Sequence, residues 1–177
     1  MIRKIYMLND FLKEKFNEKI YKVSLDGGFT CPNRDGKVSK GGCIFCSENG
    51  SGDFTATKLK SIHEQIEEQI DLVSKKYKGD KYIAYFQNFT NTYAEVSYLR
   101  KIYEEALSHE KIVGLAIATR PDCLGDDVLE LLAELNKKTF LWVELGLQTV
   151  NDDVAKYFNR AYETQIYKEA SEKLNKL

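Results

Sequence analysis

Several features that would mark a particular class of protein are scarce in this sequence of 177 residues. No apolar run approaches the roughly 20 residues that a membrane-spanning helix needs, and no apolar core follows the N-terminus as in a signal peptide. Lys and Arg number 26 against 27 Asp and Glu, so there is no broad excess of positive charge for nucleic acid. Four cysteines are too few for a disulfide scaffold. These absences predict a cytoplasmic globular protein that binds neither a membrane nor DNA.

Four short apolar segments, rich in β-branched and aromatic residues, are typical of strands. They span Ile20–Leu25, Tyr82–Phe86, Ile112–Ala118 and Phe140–Leu147. Between them, apolar residues recur every three or four positions, which is typical of helices that bury one face. Alternating strands and helices predict an α/β fold with a parallel sheet. Four units cannot close an eight-stranded barrel of roughly 250 residues. We therefore expect an open half-barrel, a partial TIM-type (β/α) barrel completed elsewhere, or the front part of a longer protein.

Three of the predicted strands have one aliphatic face and one small or polar face. In the third strand the bulky set includes Val113, and in the fourth strand Glu144 and Gln148 belong to the polar set. A buried carboxylate is costly without a partner, so Glu144 is expected to meet Lys22, Arg120 or a ligand. A filled TIM barrel turns bulky branched side chains inward. This pattern instead predicts an inner face that is hollow and polar.

Three of the cysteines lie in one glycine-rich loop that begins directly after the first predicted strand. Cys31, Cys43 and Cys46 have the spacing Cys-x11-Cys-x2-Cys, whereas Cys123 stands apart. Parallel α/β folds bind ligands at this end of their strands. Three thiolate ligands leave one coordination position open, which is typical of a reactive metal centre. The spacing alone leaves two alternatives, an iron–sulfur cluster and a zinc site to which His63 contributes.

Polar side chains also follow the second and third predicted strands. Gln87, Asn88 and Thr90 come after the second strand, where they either contact a ligand or cap the next helix. Arg120 comes after the third strand and is placed on its inner face. Its guanidinium either holds a carboxylate or phosphate of a ligand or forms an ion pair with Asp122.

Five motifs together resemble the radical S-adenosylmethionine (SAM) superfamily, and within it the YtqA/YhcC-like subgroup. The motifs occupy Ser24–Gly36, Gly41–Cys46, Tyr85–Tyr93, Thr119–Leu124 and Glu144–Gln148. The resemblance runs along the whole chain, but members of the subgroup are distinctly longer. It implies that residues 1–177 are an incomplete radical SAM core domain with about four of six strand–helix units. The N-terminal helix and cysteine loop would occupy 1–60 and the strand–helix units 61–177.

The resemblance implies an enzyme that binds a 4Fe–4S cluster on Cys31, Cys43 and Cys46, with SAM on the fourth iron. Reductive cleavage of SAM would give a 5′-deoxyadenosyl radical, and the electron would come from a flavodoxin or a ferredoxin. The implied substrate is tRNA, at the side chain of a wobble uridine. The alternative is a non-catalytic module that binds zinc or iron–sulfur, or an inactive fragment.

The resemblance also implies which residues bind SAM. The residues after the second strand are at the position where members of the superfamily contact the methionine amino group of SAM. Gln148 matches a residue that contacts the ribose in relatives, and Arg160 matches one that contacts the methionine carboxylate. Phe45 is the aromatic residue that precedes the last cysteine of the motif. The complete set of expected cofactor-binding residues is Phe45, Gln87, Asn88, Thr90, Arg120, Glu144, Gln148 and Arg160.

Overall fold

Four parallel strands form the sheet of this protein, in the order β1-β2-β3-β4. A computed structural model describes residues 5–48, 50 and 60–177, so parts of the predicted N-terminal segment (1–4, 49 and 51–59) lie outside the described residues. The strands are β1 (Tyr21–Leu25), β2 (Tyr82–Phe86), β3 (Ile112–Thr119) and β4 (Phe140–Leu145). The helices are α1 (Leu8–Phe16), α2 (Ile62–Ser74), α3 (Val96–Leu107), α4 (Asp126–Lys138), α5 (Asp152–Tyr157) and α6 (Thr164–Leu174). The predicted α/β fold with parallel strands is therefore confirmed.

The main hydrophobic core lies between one face of the sheet and the helices α2, α3 and α4. It includes Leu25, Leu115 and Ile117 from the strands and Ile66 and Leu132 from the helices, all of them fully buried. These are the positions that the period-two and period-3.6 patterns place on apolar faces. None of the described helices is long and apolar enough to cross a membrane.

The opposite, inner face of the sheet is partly filled by the N-terminal helix α1. Leu12 of α1 packs with Ile83 and Ala116 of the sheet, and Phe11 and Trp142 surround them. The rings of Phe11 and Trp142 lie 6.1 Å apart in an edge-to-face arrangement. The prediction of a hollow inner face is therefore wrong at this end of the sheet. The amphipathic helix α1 covers the inner face there, although it is distant in sequence from three of the strands.

An irregularity between β2 and β3 changes the facing of one predicted core residue. Tyr82 pairs with Ile112, but Ile83 pairs with Gly114, so Val113 is the extra residue of a bulge. Val113 packs with the cluster around Leu12 on the inner face of the sheet. Ile112 belongs to the main hydrophobic core on the opposite face. The prediction that Val113 shares the outer aliphatic face is wrong, since the bulge shifts the alternation by one residue.

Gly114, directly after this bulge, allows the close approach of β3 and β4. A Cβ atom there would lie 2.6 Å from the carbonyl oxygen of Phe140. We expect Gly114→Ala to lower the free energy of unfolding by about 1–3 kcal/mol, since the strands must separate to admit the methyl group. Urea denaturation measures this loss. In the control Gly125→Ala, the obstructing atom is an oxygen of the exposed Asp127 side chain, and a loss as large as at Gly114 would contradict the explanation.

Candidate metal and cofactor site

A cavity of about 340 Å³ opens at the carboxyl ends of the strands, beside the cysteine loop. This volume lies in the range of small-molecule sites, roughly 300–1,000 Å³. The predicted site residues that line it are Cys31, Cys43, Phe45, Cys46, Gln87, Thr90, Arg120, Glu144, Gln148 and Arg160. The structure thus brings together residues that lie more than a hundred positions apart in sequence.

Asn88 is the predicted site residue that does not line this cavity. Its side chain is buried and donates from Nδ2 to Asp26 Oδ2 at 2.9 Å. Asp26 also accepts from the backbone N–H of Gly28 at 2.7 Å. Asn88 therefore joins the end of β2 to the loop after β1, which positions the loop behind the cavity wall.

Thr90 lines the cavity, and its side-chain hydroxyl makes no hydrogen bond to any described residue. The residue is 1% exposed, and its Oγ1 is buried without a hydrogen-bond partner. A hydroxyl can both donate and accept, and leaving it unpaired in a buried position costs free energy. The neighbouring residue Phe89 has a left-handed backbone with φ of 59°, which is uncommon for a bulky side chain. Both features are typical of a segment shaped for a ligand.

The thiols of Cys43 and Cys46 form a hydrogen-bonded pair. Donation by Cys43, assisted by the nearby Arg34 guanidinium, lowers the pKa of Cys46 to about 6 even though burial opposes this change. The pKa of Cys43 is raised, first by that hydrogen bond and then by burial. One of the two sulfurs is therefore prepared to act as a thiolate, the form that binds metals.

Cys31, Cys43 and Cys46 all line the cavity. Among the described residues, one group of three metal-ligating side chains has all its ligand atoms within 4.8 Å, and it contains none of the cysteines. Three thiols that face one cavity can each bind one iron of a cluster, and thiolates are the usual ligands of iron–sulfur clusters.

The group within 4.8 Å consists of His63, Glu67 and His109. The Nδ1 atom of His109 accepts from the backbone N–H of Lys111 at 3.2 Å, and its Nε2 lies 2.9 Å from Glu67 Oε1. Nε2 therefore carries the proton and donates it to Glu67, whereas a metal-bound imidazole donates through its second nitrogen. The structure places His63 in this α2–α3 contact and not beside the cysteines.

Arg34, which the sequence did not single out, fastens the end of the cysteine loop. Its guanidinium donates to the carbonyl oxygens of Cys46 at 3.3 Å and Glu48 at 3.1 Å, and also to that of Ser47. The guanidinium lies 5.4 Å from the centre of the Phe89 ring. An arginine in a polar loop carries no signal of this role, because its acceptors are main-chain atoms.

Asn159 holds the same loop from the opposite side, and sequence reasoning missed it too. Its Nδ2 donates to the carbonyl oxygens of Gly42 at 2.8 Å and Lys40 at 3.2 Å. Its Oδ1 accepts from Ser39 Oγ at 3.1 Å. The residue has a left-handed φ of 58°, which asparagine tolerates better than most residues. The Asn–Arg pair at 159–160 was the available signal, but only its arginine was assigned a role.

Glu144 has one of the partners that the sequence led us to expect, Lys22, together with Tyr85, which the sequence did not indicate. Its carboxylate accepts from Lys22 Nζ at 2.5 Å and from the Tyr85 hydroxyl at 2.7 Å. Burial, followed by the bond to Glu144, raises the pKa of Tyr85, so this hydroxyl stays protonated and donates. The Lys22 ammonium lies 4.2 Å from the centre of the Tyr85 ring. The three side chains form a polar layer across the inner face of the sheet. This layer lies between the cavity and the apolar cluster of Leu12, Ile83 and Ala116, which we call the α1 cluster.

For Arg120, the structure shows the ion pair that the sequence left as one alternative. Its Nε and Nη2 donate to the two carboxylate oxygens of Asp122 at 2.9 and 2.7 Å. Nη1 donates to the carbonyl oxygen of Arg160 at 3.0 Å. The guanidinium also lies 4.9 Å from the centre of the Tyr162 ring. Arg120 thus adds a positive charge to the cavity wall while most of its donors hold protein atoms.

Arg160 does not have the free guanidinium that binding of a methionine carboxylate requires, and that prediction needs correction. The residue is 1% exposed, and each of its five N–H groups has an acceptor within the protein. The acceptors are the carbonyl oxygens of Tyr162, Leu147 and Thr149, the carboxylate of Asp152 and the hydroxyl of Thr164. Arg160 joins the segment after β4 to the start of α6.

Gln148 lies at the mouth of the cavity, after the end of β4. Its backbone has a left-handed φ of 60°, and its side chain is exposed. The carbonyl oxygen of Gly146 accepts from the Tyr162 hydroxyl, whose oxygen also lies 3.4 Å from Gln148 Oε1. The exposed side-chain amide of Gln148 is thus available to a molecule entering the cavity. On the opposite side of the entrance lies Phe45, which is 55% exposed and contacts the ring of Phe158.

Comparison with known proteins agrees with this architecture. The chain is 51% identical over 174 residues to YtqA of Bacillus subtilis, covering 98% of this chain and 54% of that protein. It is 41% identical over 169 residues to YhcC of Escherichia coli K12, covering 95% and 53%. A third relative, MJ0486 of Methanocaldococcus jannaschii, is 37% identical over 158 residues. The chain therefore spans about half the length of the curated relatives it matches.

Among solved structures, the fold is similar to that of archaeal Elp3 of Methanocaldococcus infernus. The TM-score is 0.55 at 17% identity, over 85% of this chain and 34% of that one. The sequence model of the radical SAM superfamily matches residues 31–177, from the first cysteine of the loop to the last residue of the chain. The chain belongs to the radical SAM superfamily.

Proposed function

We propose that this chain binds a 4Fe–4S cluster and SAM in the cavity at the carboxyl end of the sheet. The observation that carries the proposal is the convergence of three thiols from the loop after β1 on a single cavity. The donor set fits the group, since thiolates are the usual ligands of such clusters and three of them leave one iron free. The unpaired buried Thr90 hydroxyl supports a polar ligand beside them.

The residues of the chain have separate tasks in this proposal. Cys31, Cys43 and Cys46 hold the cluster, and Arg34 and Asn159 keep their loop closed. When bound, the reduced cluster supplies the electron that cleaves SAM to methionine and a 5′-deoxyadenosyl radical. Thr90 and Gln148 present polar atoms to SAM, while the α1 cluster and the Glu144 layer close the inner end of the cavity against water.

We further propose that the substrate is tRNA, at a wobble uridine, and that a flavodoxin or ferredoxin delivers the electron. The charge of the cysteine loop supports an RNA substrate. The loop 31–46 carries three basic residues against one acid, and Lys37 and Lys40 are exposed there. Exposed lysines can contact phosphates, and such contacts position a nucleic acid without reading its sequence. The electron donor stays a prediction.

Anaerobic reconstitution with iron and sulfide tests the proposal. We expect the reconstituted chain to bind about four irons and, after chemical reduction, to release 5′-deoxyadenosine from SAM. Mass spectrometry measures this product, and protein without iron is the control. If the chain instead takes up zinc and stays colourless, the proposal is wrong. Iron binding without SAM cleavage would leave a cluster-binding module without catalysis.

A further inference from the structure

Asn33, two residues after Cys31, lies behind the cluster site with its side chain fully buried. Its side-chain Nδ2 donates to the carbonyl oxygen of Asn159 at 2.5 Å. The same nitrogen lies 3.5 Å from Cys43 Sγ, within hydrogen-bond distance of sulfur. The main chain of Asn33 is held as well, because its carbonyl oxygen accepts from Gly42 N–H at 2.8 Å.

The orientation of this amide follows from its neighbour. A backbone carbonyl such as that of Asn159 only accepts hydrogen bonds, so it must face the NH₂ group of Asn33 and not Oδ1. With one N–H directed at Asn159, the second N–H is left for the sulfur of Cys43. The closed loop therefore fixes an N–H donor against one particular cysteine of the three.

The contacts of Cys43 change when its thiol becomes a thiolate. As a thiol, Cys43 has one proton, which it can donate either to Cys46 or to the Asn159 carbonyl oxygen, 3.4 Å from its sulfur. A metal-bound thiolate has no proton, so neither of these bonds can form, and the N–H from Asn33 remains as a favourable contact. Donation to a ligand sulfur draws negative charge from it and stabilises the reduced cluster, which holds one more electron.

We propose that Asn33 is a positioning residue that donates an N–H···S hydrogen bond to Cys43 and thereby raises the reduction potential of the cluster. This inference rests on the proposed function, because it needs a cluster on the three cysteines. The Asn159 carbonyl serves as the anchor that orients the donor. The substrate plays no part, so the potential can be measured without knowing it.

The test is a redox titration of the anaerobically reconstituted chain, without SAM, followed by electron paramagnetic resonance. Asn33→Leu removes the donor with little change in volume, and Asn33→Asp replaces it with an acceptor of the same shape. We expect the midpoint potential to become more negative in both variants, and more so in Asn33→Asp, with the iron content unchanged. Ser39→Ala is the matched control, since it loses a bond to Asn159 but none to Cys43, and its potential should equal that of the wild type.

The possible results separate this inference from the proposed function. Variants that keep their iron and the wild-type potential overturn the role of Asn33 and leave the cluster proposal intact. A wild-type chain that binds no iron overturns both. If the variants lose the cluster, wild-type protein labelled with ¹⁵N in its asparagine side chains decides. A nitrogen hyperfine coupling to the reduced cluster supports the hydrogen bond, and its absence overturns it.

Discussion

Replacing any one of Cys31, Cys43 and Cys46 with alanine is expected to abolish stable binding of the cluster. The proposed site supplies one thiolate to each of three irons, so the loss of one sulfur opens a second iron to water in addition to the one reserved for SAM. We expect iron to fall from about four per chain to nearly none, and the brown colour and 5′-deoxyadenosine formation to disappear. Iron analysis and visible absorbance measure the effect.

Cys123→Ala is the matched control for these variants. Cys123 lines a different cavity, with Tyr93 and Asp122. Burial is the main cause that raises its pKa to about 12. We expect Cys123→Ala to bind iron like the wild type. Equal loss of iron in all four variants would contradict the assignment of the ligands, provided that circular dichroism shows each variant folded.

Arg160→Met is expected to lower the free energy of unfolding by about 3–5 kcal/mol. Methionine has a similar length but donates no hydrogen bond, so the carbonyl oxygens of Thr149 and Tyr162 lose this donor. The carbonyl oxygen of Leu147 loses it too but keeps the backbone N–H of Thr149. Asp152 is 42% exposed and can bind water instead, so most of the loss comes from the carbonyl groups. Urea denaturation measures the effect, which is large against the 5–15 kcal/mol typical of a whole domain.

Arg100→Met makes the same change at the surface. Arg100 forms ion pairs with Glu134 at 2.7 Å and Glu104 at 3.7 Å, both exposed to solvent. Exposed pairs contribute about 0–1 kcal/mol, so this variant should be nearly as stable as the wild type. If both arginine variants lost the same stability, the buried network around Arg160 would not be the cause.

The stability provided by Arg160 should also depend on pH at the acid end. Hydrogen bonds from Thr164, together with the charge of Arg160, hold the pKa of Asp152 below its usual range. A lowered carboxyl pKa stabilises the fold above the unfolded value, about 3.9 for aspartate, and this contribution is lost as the pH falls through the folded value. We therefore expect the wild type and Arg160→Met to become closer in stability below about pH 4.

Predictions from local sequence patterns were confirmed for features that depend only on residue type and spacing, such as the positions of the strands. The strand β2 has the predicted bounds, and β4 ends at Leu145 instead of Leu147. A buried carboxylate needs a cation, and by this rule the sequence indicated Lys22 as a candidate partner of Glu144. The structure shows this ion pair. Arg160 shows the limit of this reasoning. Its place in a family motif suggested a ligand contact, but whether a guanidinium is free depends on five acceptors that no local pattern reveals.

By itself, the amino-acid sequence determined the order of strands and helices, the three thiols after β1, and membership of the radical SAM superfamily. Period and spacing are local properties, so they can be read without coordinates. Only the tertiary structure decided that α1 fills one end of the inner face and that Arg34 and Asn159 close the cysteine loop. It also decided that Asn33 directs a donor at Cys43. Several of these contacts use main-chain acceptors, and they join residues up to 126 positions apart. The whole fold sets the positions of such acceptors, and no side-chain pattern encodes them.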